Sequence, residues 1–462
     1  MRKITAISLL IIFIFLFSIL AFPSNGIHPW PMYRCNPQHT GRSMYSGPQN
    51  PTLKWKVKVE GGIRWIVVDK DENVYVDTIV EEKDWKVRTY ETRIYKIRDG
   101  EIIWKQSFKG KKSKGGQKNT FLVLGSDELY TSINNTIYAI DMESGEKGLL
   151  LSLQGSEIIG LTPLDDGNLC FTTSDPYMIY IVDPKGKVKW KFRGQSSWGI
   201  RFPAIDEEGR IYTADKWEGY RKHKYKEYSG KVYVLTPEEG KSRTSKPFKF
   251  VRNEYVKEYD FDEVRKRESV TLPWSIIVYE DILYGNRTIY ISAWGGITST
   301  SDGKKVWRYQ FDLRGANGWW EGWAPCLRRT VVGSDGTVYA IYGGYLIAIN
   351  RKGEEKWIKS DAYGGLVMDK DDVMYIDRDD VLYFESSKFR SRTIIAVKSN
   401  GGVKWEYKVE LEPTKVSIYT FGYPGPPYVD DMIGSASTLV LGNEMMYLAN
   451  GDYLYAIGEK GE

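Results

Sequence analysis

The chain has 462 residues, of which 27% are charged and 42% hydrophobic, so a wholly disordered polymer is excluded and one large repeat array or two ordinary domains fit. A formal net charge of +5 is too small to expect nucleic acid as a partner. Three Cys, at positions 35, 170 and 326, cannot all pair internally, so at most one disulfide is possible and the fold cannot depend on a disulfide framework; no two lie close enough in sequence for metal-type spacing.

The chain opens on Arg2 and Lys3, followed by an uncharged apolar run from Ile4 to Phe22 and then Pro23-Ser24-Asn25-Gly26. That order of charge, apolar run and small residues is the pattern of a secretory signal, and the run is also long enough to span a bilayer if uncut. Residues 1–26 are therefore expected to be a signal peptide or membrane anchor, with the rest extracytoplasmic. Loss of Arg2 and Lys3 would leave a net charge of +3. Residues 27–50 form a lead-in containing WPMYRCNPQHTGRS, Trp30 to Ser43.

From residue 51 one pattern recurs. An Asp/Gly-rich turn precedes an apolar-Tyr-apolar strand; a second strand follows, then a Gly turn, then a strand carrying Trp. GSDGTVYAIYGGYLIAINRKGEEKW, Gly333 to Trp357, shows it whole. The Tyr falls at 75, 130, 212, 290, 339, 375 and 447, with Cys170 in that place in one further copy. The Gly turn places Trp four residues on at Trp104, Trp190, Trp307, Trp357 and Trp405, whereas Gly145 leads to Leu149 and Gly240 to Thr244.

The last copy ends at Glu462 without its Trp strand, and PTLKWKVKV, Pro51 to Val59, is a Trp strand without a preceding copy. Residues 51–462 are thus expected to form an all-β, eight-bladed β-propeller of four-stranded antiparallel blades. The N-terminal strand carrying Trp55 would complete the C-terminal blade. Closure removes the unpaired edges that invite aggregation. A buried Trp covers roughly 150–250 Å², worth about 4–6 kcal/mol gross as an upper estimate. Trp55, Trp104, Trp190, Trp307, Trp357 and Trp405 are expected to knit the blades, with weaker junctions at Leu149 and Thr244.

These repeats resemble the PQQ-like, quinoprotein-type family of β-propellers, and the resemblance covers nearly all of the chain after the apolar run. The WPMYRCNPQHTGRS segment resembles the lead-in common before such propellers. The family implies two functional branches. One comprises enzymes using pyrroloquinoline quinone and Ca²⁺ to oxidise alcohols or sugars. The other comprises non-catalytic scaffolds, such as the propeller subunit of the bacterial outer-membrane β-barrel assembly machine. Enzymes of the first branch carry adjacent cysteines, which this sequence lacks, and their acidic and Asn Ca²⁺ ligands match no residues here.

His28, His39 and His223 all lie outside the repeat strands, and no nucleophile elbow, Walker loop or His-Glu-x-x-His occurs. The acidic pairs Asp165-Asp166, Asp371-Asp372 and Asp379-Asp380 are expected to serve turns, and Asp430-Asp431 lies outside that register. Asn134 and Asn286 head Asn-x-Thr sequons. No catalytic, cofactor-binding or metal residue is assigned.

The connections that lead from one Trp strand to the next blade concentrate Trp198, Arg201, Arg314, Trp319, Trp320, Trp323, Tyr423 and Tyr428, types enriched in binding hot spots. These eight are the candidate partner-binding residues. The charged segments Lys216 to Ser229 and Lys241 to Ser269 are expected to be surface excursions. The expected function is a monomeric, non-enzymatic scaffold for a protein or another envelope polymer, associated with a membrane if the apolar segment is retained. The alternative is a quinone- or metal-dependent oxidoreductase with an atypical site.

Overall fold

The computed structural model describes residues 28–80, 89–111, 120–174, 176–194, 198–199, 202–221, 225–236, 248–252, 273–280, 287–293, 296–301, 304–310, 330–342, 344–360, 362, 365–379, 391–412 and 439–461. It is an all-β β-propeller of four-stranded antiparallel blades.

Sheet one runs outward through Gly62–Val68, Val74–Val80, Thr89–Arg98 and Glu101–Lys111. Sheet two is Thr120–Leu124, Glu128–Ile133, Thr136–Asp141 and Lys147–Ser152, and sheet three is Glu157–Pro163, Leu169–Ser174, Met178–Val182 and Val188–Arg193. Sheets five, six and seven repeat the order from Pro273 to Gln310, Thr330 to Ser360 and Leu366 to Glu410. Sheet eight takes Leu439–Leu441, Met445–Asn450 and Tyr453–Glu459 from the end of the chain and Pro51–Lys58 from its start. Trp55 lies opposite Ala456 and Val57 opposite Leu454.

Sheet four departs from the expected uniform four strands. Its inner edge is split into Trp198–Gly199 and Ala204–Ile205, both paired with Ile211–Arg221, and the sheet has five strands, with Tyr225–Leu235 and Phe248–Arg252 outside. The two charged segments also differ from expectation. Much of Lys216 to Ser229 continues the strand ladder, and the second segment supplies the outer strand, because the chain there keeps alternating Phe and Val between charges.

Burial follows position in the sheet. The second strand of sheet one is buried on both faces, as its continuous Val/Tyr run requires, whereas the outer strand Val188–Arg193 alternates exposed and half-buried residues. Inner strands touch between sheets one and two, two and three, four and five, six and seven, seven and eight, and eight and one. Apolar clusters join the other junctions: Ile179 and Ile181 of sheet three pack with Ile211 and Leu235 of sheet four, and Ile297 and Trp307 of sheet five with Val332 of sheet six.

Trp55, Trp104, Trp307 and Trp357 of the outer strands dock on the next sheet's Gly turn. Gly353, at φ +83°, would place a Cβ 2.7 Å from the Trp307 ring, and Gly401 one 3.1 Å from Trp357. The indole N–H groups of Trp104, Trp307 and Trp357 donate to the carbonyls of Met142, Arg351 and Ser399 at 3.2, 2.6 and 2.9 Å. Of these six, Trp307 is buried, whereas Trp55, Trp104, Trp190, Trp357 and Trp405 are half-buried, so each of the five contributes less than full burial would.

Leu149 does not stand in for Trp. In sheets one, three, five, six and seven a β-bulge beside the Trp sets its register, as between Ala348 and Ile349 opposite Trp357. Sheet two has its bulge further along, between Ile137 and Tyr138. Ala139, the counterpart of Ala348, therefore faces Gly148, and Leu149 is 66% exposed. Thr244 lies outside the described residues.

Candidate binding face

The inner strands end on a common side of the propeller, and the lead-in crosses it. Trp30 exchanges backbone hydrogen bonds with Val68 of sheet one, and the Leu124 amide of sheet two donates to the Pro31 carbonyl. The Ile205 amide of sheet four donates to Pro37, Val332 of sheet six to Thr40, and Lys370, just past the inner strand of sheet seven, to Tyr45. The Ser43 amide donates to Met368, and Glu444 of sheet eight donates to Ser46. The lead-in thus hydrogen-bonds to sheets one, two, four, six, seven and eight at this end. Trp30, Met32, Cys35 and His39 are buried there, and Tyr33 stacks on Phe202 at 4.4 Å. His28 bridges sheets one and two, accepting from the Lys70 amide at Nδ1 and meeting the Gly125 carbonyl at Nε2.

The lead-in also completes the break in sheet eight. Where other sheets have a Gly turn, Glu459 and Pro51 belong to opposite ends of the chain. The amides of Gln49 and Asn50 donate to the Glu459 carboxylate at 2.6 and 3.0 Å, and Lys460 donates to the Asn50 carbonyl at 2.8 Å. Trp405 accordingly donates to Pro48 rather than to a turn of sheet eight, at 3.2 Å.

The acidic turns lie around this covered end. Asp369 accepts the amides of Asp371 and Val373 at Oδ1, and the Gly47 amide and Tyr375 hydroxyl at Oδ2. Asp69 and Asp206 hold Tyr75 and Tyr212 in the same way. In the copy with Cys170, Leu164 occupies the Asp position, so carboxylate and phenol are lost together. Both oxygens of Asp69, Asp206 and Asp369 thus face N–H and O–H donors, from their own turns and, at Asp369, from the lead-in as well, which does not fit the coordination of a Ca²⁺–quinone site. Cys35 and Cys170 are free, and burial pushes both thiols well up. Cys326 lies outside the described residues.

Two ion pairs that sequence reasoning missed lie toward the other end of the propeller. Asp77, fully buried, accepts from Arg64 Nη2 at 2.8 Å and Thr120 Oγ1 at 2.6 Å, joining sheets one and two. Burial pushes the Asp77 carboxyl up, against Arg64 and its hydrogen bonds. Asp377 accepts from Arg392 at 2.9 Å. The available signal was an Asp two residues after the repeat Tyr, where other copies carry Ser132, Thr172, Ala214, Ser292, Ile341 and Ala449.

Of the candidate partner-binding residues, the structure places Trp198, whose backbone pairs with Lys216 in sheet four. Arg201, Arg314, Trp319, Trp320, Trp323, Tyr423 and Tyr428 lie outside the described residues. The described inner strands begin at the end opposite the lead-in. At that end a groove of about 390 Å³ is lined by Lys109, Asn134, Tyr138 and Glu157.

The family model described as outer membrane protein assembly factor BamB matches residues 49–271 and 275–459. The chain belongs to this family. The BamB family match begins just before the strand that completes sheet eight and ends at Glu459, where that sheet's break is bridged. No curated protein matches. Matches among solved structures include virginiamycin B lyase from Staphylococcus aureus, at 12% identity over 88% of this chain and 99% of that one, TM-score 0.41. Another is the dihydro-heme d1 dehydrogenase NirN, at 9% identity over 77% and 67% of the two chains, TM-score 0.47. A Bacteroides caccae protein of unknown function is 12% identical over 63% and 94%, TM-score 0.35.

Proposed function

We propose that this chain is an exported, non-enzymatic, monomeric scaffold that binds a protein or another envelope polymer at the end opposite its lead-in. The observation that carries this reading is the lead-in itself, which hydrogen-bonds to sheets one, two, four, six, seven and eight and covers one end. In this reading the candidate residues from Trp198 to Tyr428, most of which lie outside the described residues, serve the other end. Membership of the BamB family and the apolar run from Ile4 to Phe22 support an extracytoplasmic location, with residues 1–26 as signal or anchor. In this reading the eight sheets are blades of one ring, sealed by the Trp55 strand; the inter-sheet contacts and the pairing with Tyr453–Glu459 support it.

The test is partner capture from the native envelope by the purified chain. Trp320→Ala combined with Arg201→Ala should lower capture about tenfold or more, as loss of hot-spot residues does, without changing Tm. Unchanged capture overturns the axial binding surface. Reconstitution with pyrroloquinoline quinone and Ca²⁺ tests the other class of function, and dye-linked alcohol oxidation by that preparation would overturn the non-enzymatic reading.

A further inference from the structure

We propose that the outer edge of sheet two takes a peptide segment of a partner as an added strand, with a tryptophan flanked by Lys or Arg seated over Ala139 and Gly148. This site is separate from the end opposite the lead-in. In sheet six Tyr339, Ala348 and Trp357 are successive cross-strand partners, and in sheet two the same three places hold Tyr130, Ala139 and Gly148. Partners share a face of the sheet, so Gly148 stands where six other sheets carry the indole. A Cβ at Gly148 would meet no heavy atom within 4 Å. The six residues that face a Trp, namely Lys96, Ile181, Ser299, Ala348, Ala396 and Ala456, are all buried, whereas Ala139 is half-buried. A groove of about 240 Å³ lies over this face, lined by Glu128, Ala139, Asp141, Glu146, Lys147 and Gly148. Leu150, the extra residue of the bulge, rests against the Gly186 turn of sheet three, so that junction closes without filling the groove.

The strand that lacks the ring is also the least guarded outer edge. Lys147–Ser152 is the outermost strand of sheet two, and among the described residues no further strand pairs with it. The outer strands of sheets one, three, five, six, seven and eight each carry two or three Lys, which discourage pairing with another chain. KGLLLS has one, and its Nζ is drawn back to the Ser107 carbonyl at 2.7 Å and to the Phe108 ring at 4.4 Å. An added strand supplies the backbone hydrogen bonds that such an edge lacks, and an aromatic residue on it lies over the edge glycine it faces. The indoles of the other sheets show which ring this face is shaped to hold. With Lys147 drawn away, Glu128, Asp141 and Glu146 leave the lining anionic, so Lys or Arg beside the ring is complementary and an acidic segment is repelled.

The experiment measures fluorescence anisotropy of a labelled peptide VKWKFR, the sequence of Val188–Arg193, on titration with the full chain. The wild type should bind it, and a peptide with Ser in place of Trp should bind about tenfold more weakly. Gly148→Trp fills the groove from within the chain and should weaken binding about tenfold or more, with Tm unchanged or raised. Ala139→Leu fills it from its floor and serves as the test where circular dichroism shows Gly148→Trp to be misfolded. Glu146→Lys should weaken binding about threefold at low salt, and the difference should shrink as salt rises. Unchanged binding by the folded filling variant, equal binding of the two peptides, or no binding by the wild type overturns the proposal. So does a wild-type dimer in size-exclusion chromatography that Gly148→Trp dissolves, since a second copy then occupies the edge. If the peptide is ignored while Trp320→Ala with Arg201→Ala still lowers envelope capture, the edge site fails and the binding-face reading stands.

Discussion

Tyr375 donates its hydroxyl to Asp369 at 2.8 Å, both residues being fully buried, and the same pair recurs as Tyr75 with Asp69 and Tyr212 with Asp206. A charged acceptor makes each bond stronger than a neutral one. Tyr375→Phe removes one of two donors to Asp369 Oδ2 and should cost about 1–3 kcal/mol in urea unfolding, with an unchanged m-value. Asp77 behaves differently. Its native carboxyl titrates above the ordinary 3.8 because burial outweighs Arg64. The native state therefore binds more protons than the unfolded chain in the window from pH 3.8 up to the raised native value. The stability from this group is present below that window and is lost as pH rises through it. Asp77→Asn should abolish that fall, so variant stability relative to wild type climbs with pH across the window; parallel stability–pH curves would refute the assignment.

Within single sheets, the placement of one bulge decides which outer-strand residue reaches the neighbouring sheet. Trp357 sits beside its bulge, rests against Gly401 and donates to Ser399. Leu149 has the same spacing from its Gly turn but lies out of register and in solvent. Trp357→Ala should lower stability by about 2–4 kcal/mol, and Leu149→Ala should stay within about 0.5 kcal/mol of wild type. Thermal melts of the two variants side by side check this. The Gly-x3-Trp spacing in the sequence marks the outer strands that carry Trp104, Trp307 and Trp357 onto the next Gly turn, yet it mislocates the junction residue of sheet two. Spacing counts residues, whereas an inserted bulge residue changes which of them face each other.

At the scale of the whole molecule, the two chain ends are joined without a covalent bond. The Pro51–Lys58 strand pairs with Tyr453–Glu459, and the Glu459 carboxylate receives two lead-in amides. Glu459→Ala should destabilise the chain by about 1–3 kcal/mol, the range for hydrogen bonds to a charged group. Removing residues 28–58 should have a larger effect, because it exposes the Tyr453–Glu459 edge and frees the end that the lead-in covers. Size-exclusion chromatography of the truncated chain should then show association, and a stable monomer would count against the closure.

Period-2 strands, Asp/Gly turns and the Tyr and Trp registers are local properties, and they determined from sequence the all-β class, the repeat and the strand that pairs with the chain's end. The path of the lead-in, the Arg64–Asp77 and Asp377–Arg392 pairs and the extended ladder of sheet four were decided by tertiary structure. Each joins residues from separate elements, and neither the approach of distant strands nor the burial that makes a carboxylate matter is encoded in neighbouring residues alone.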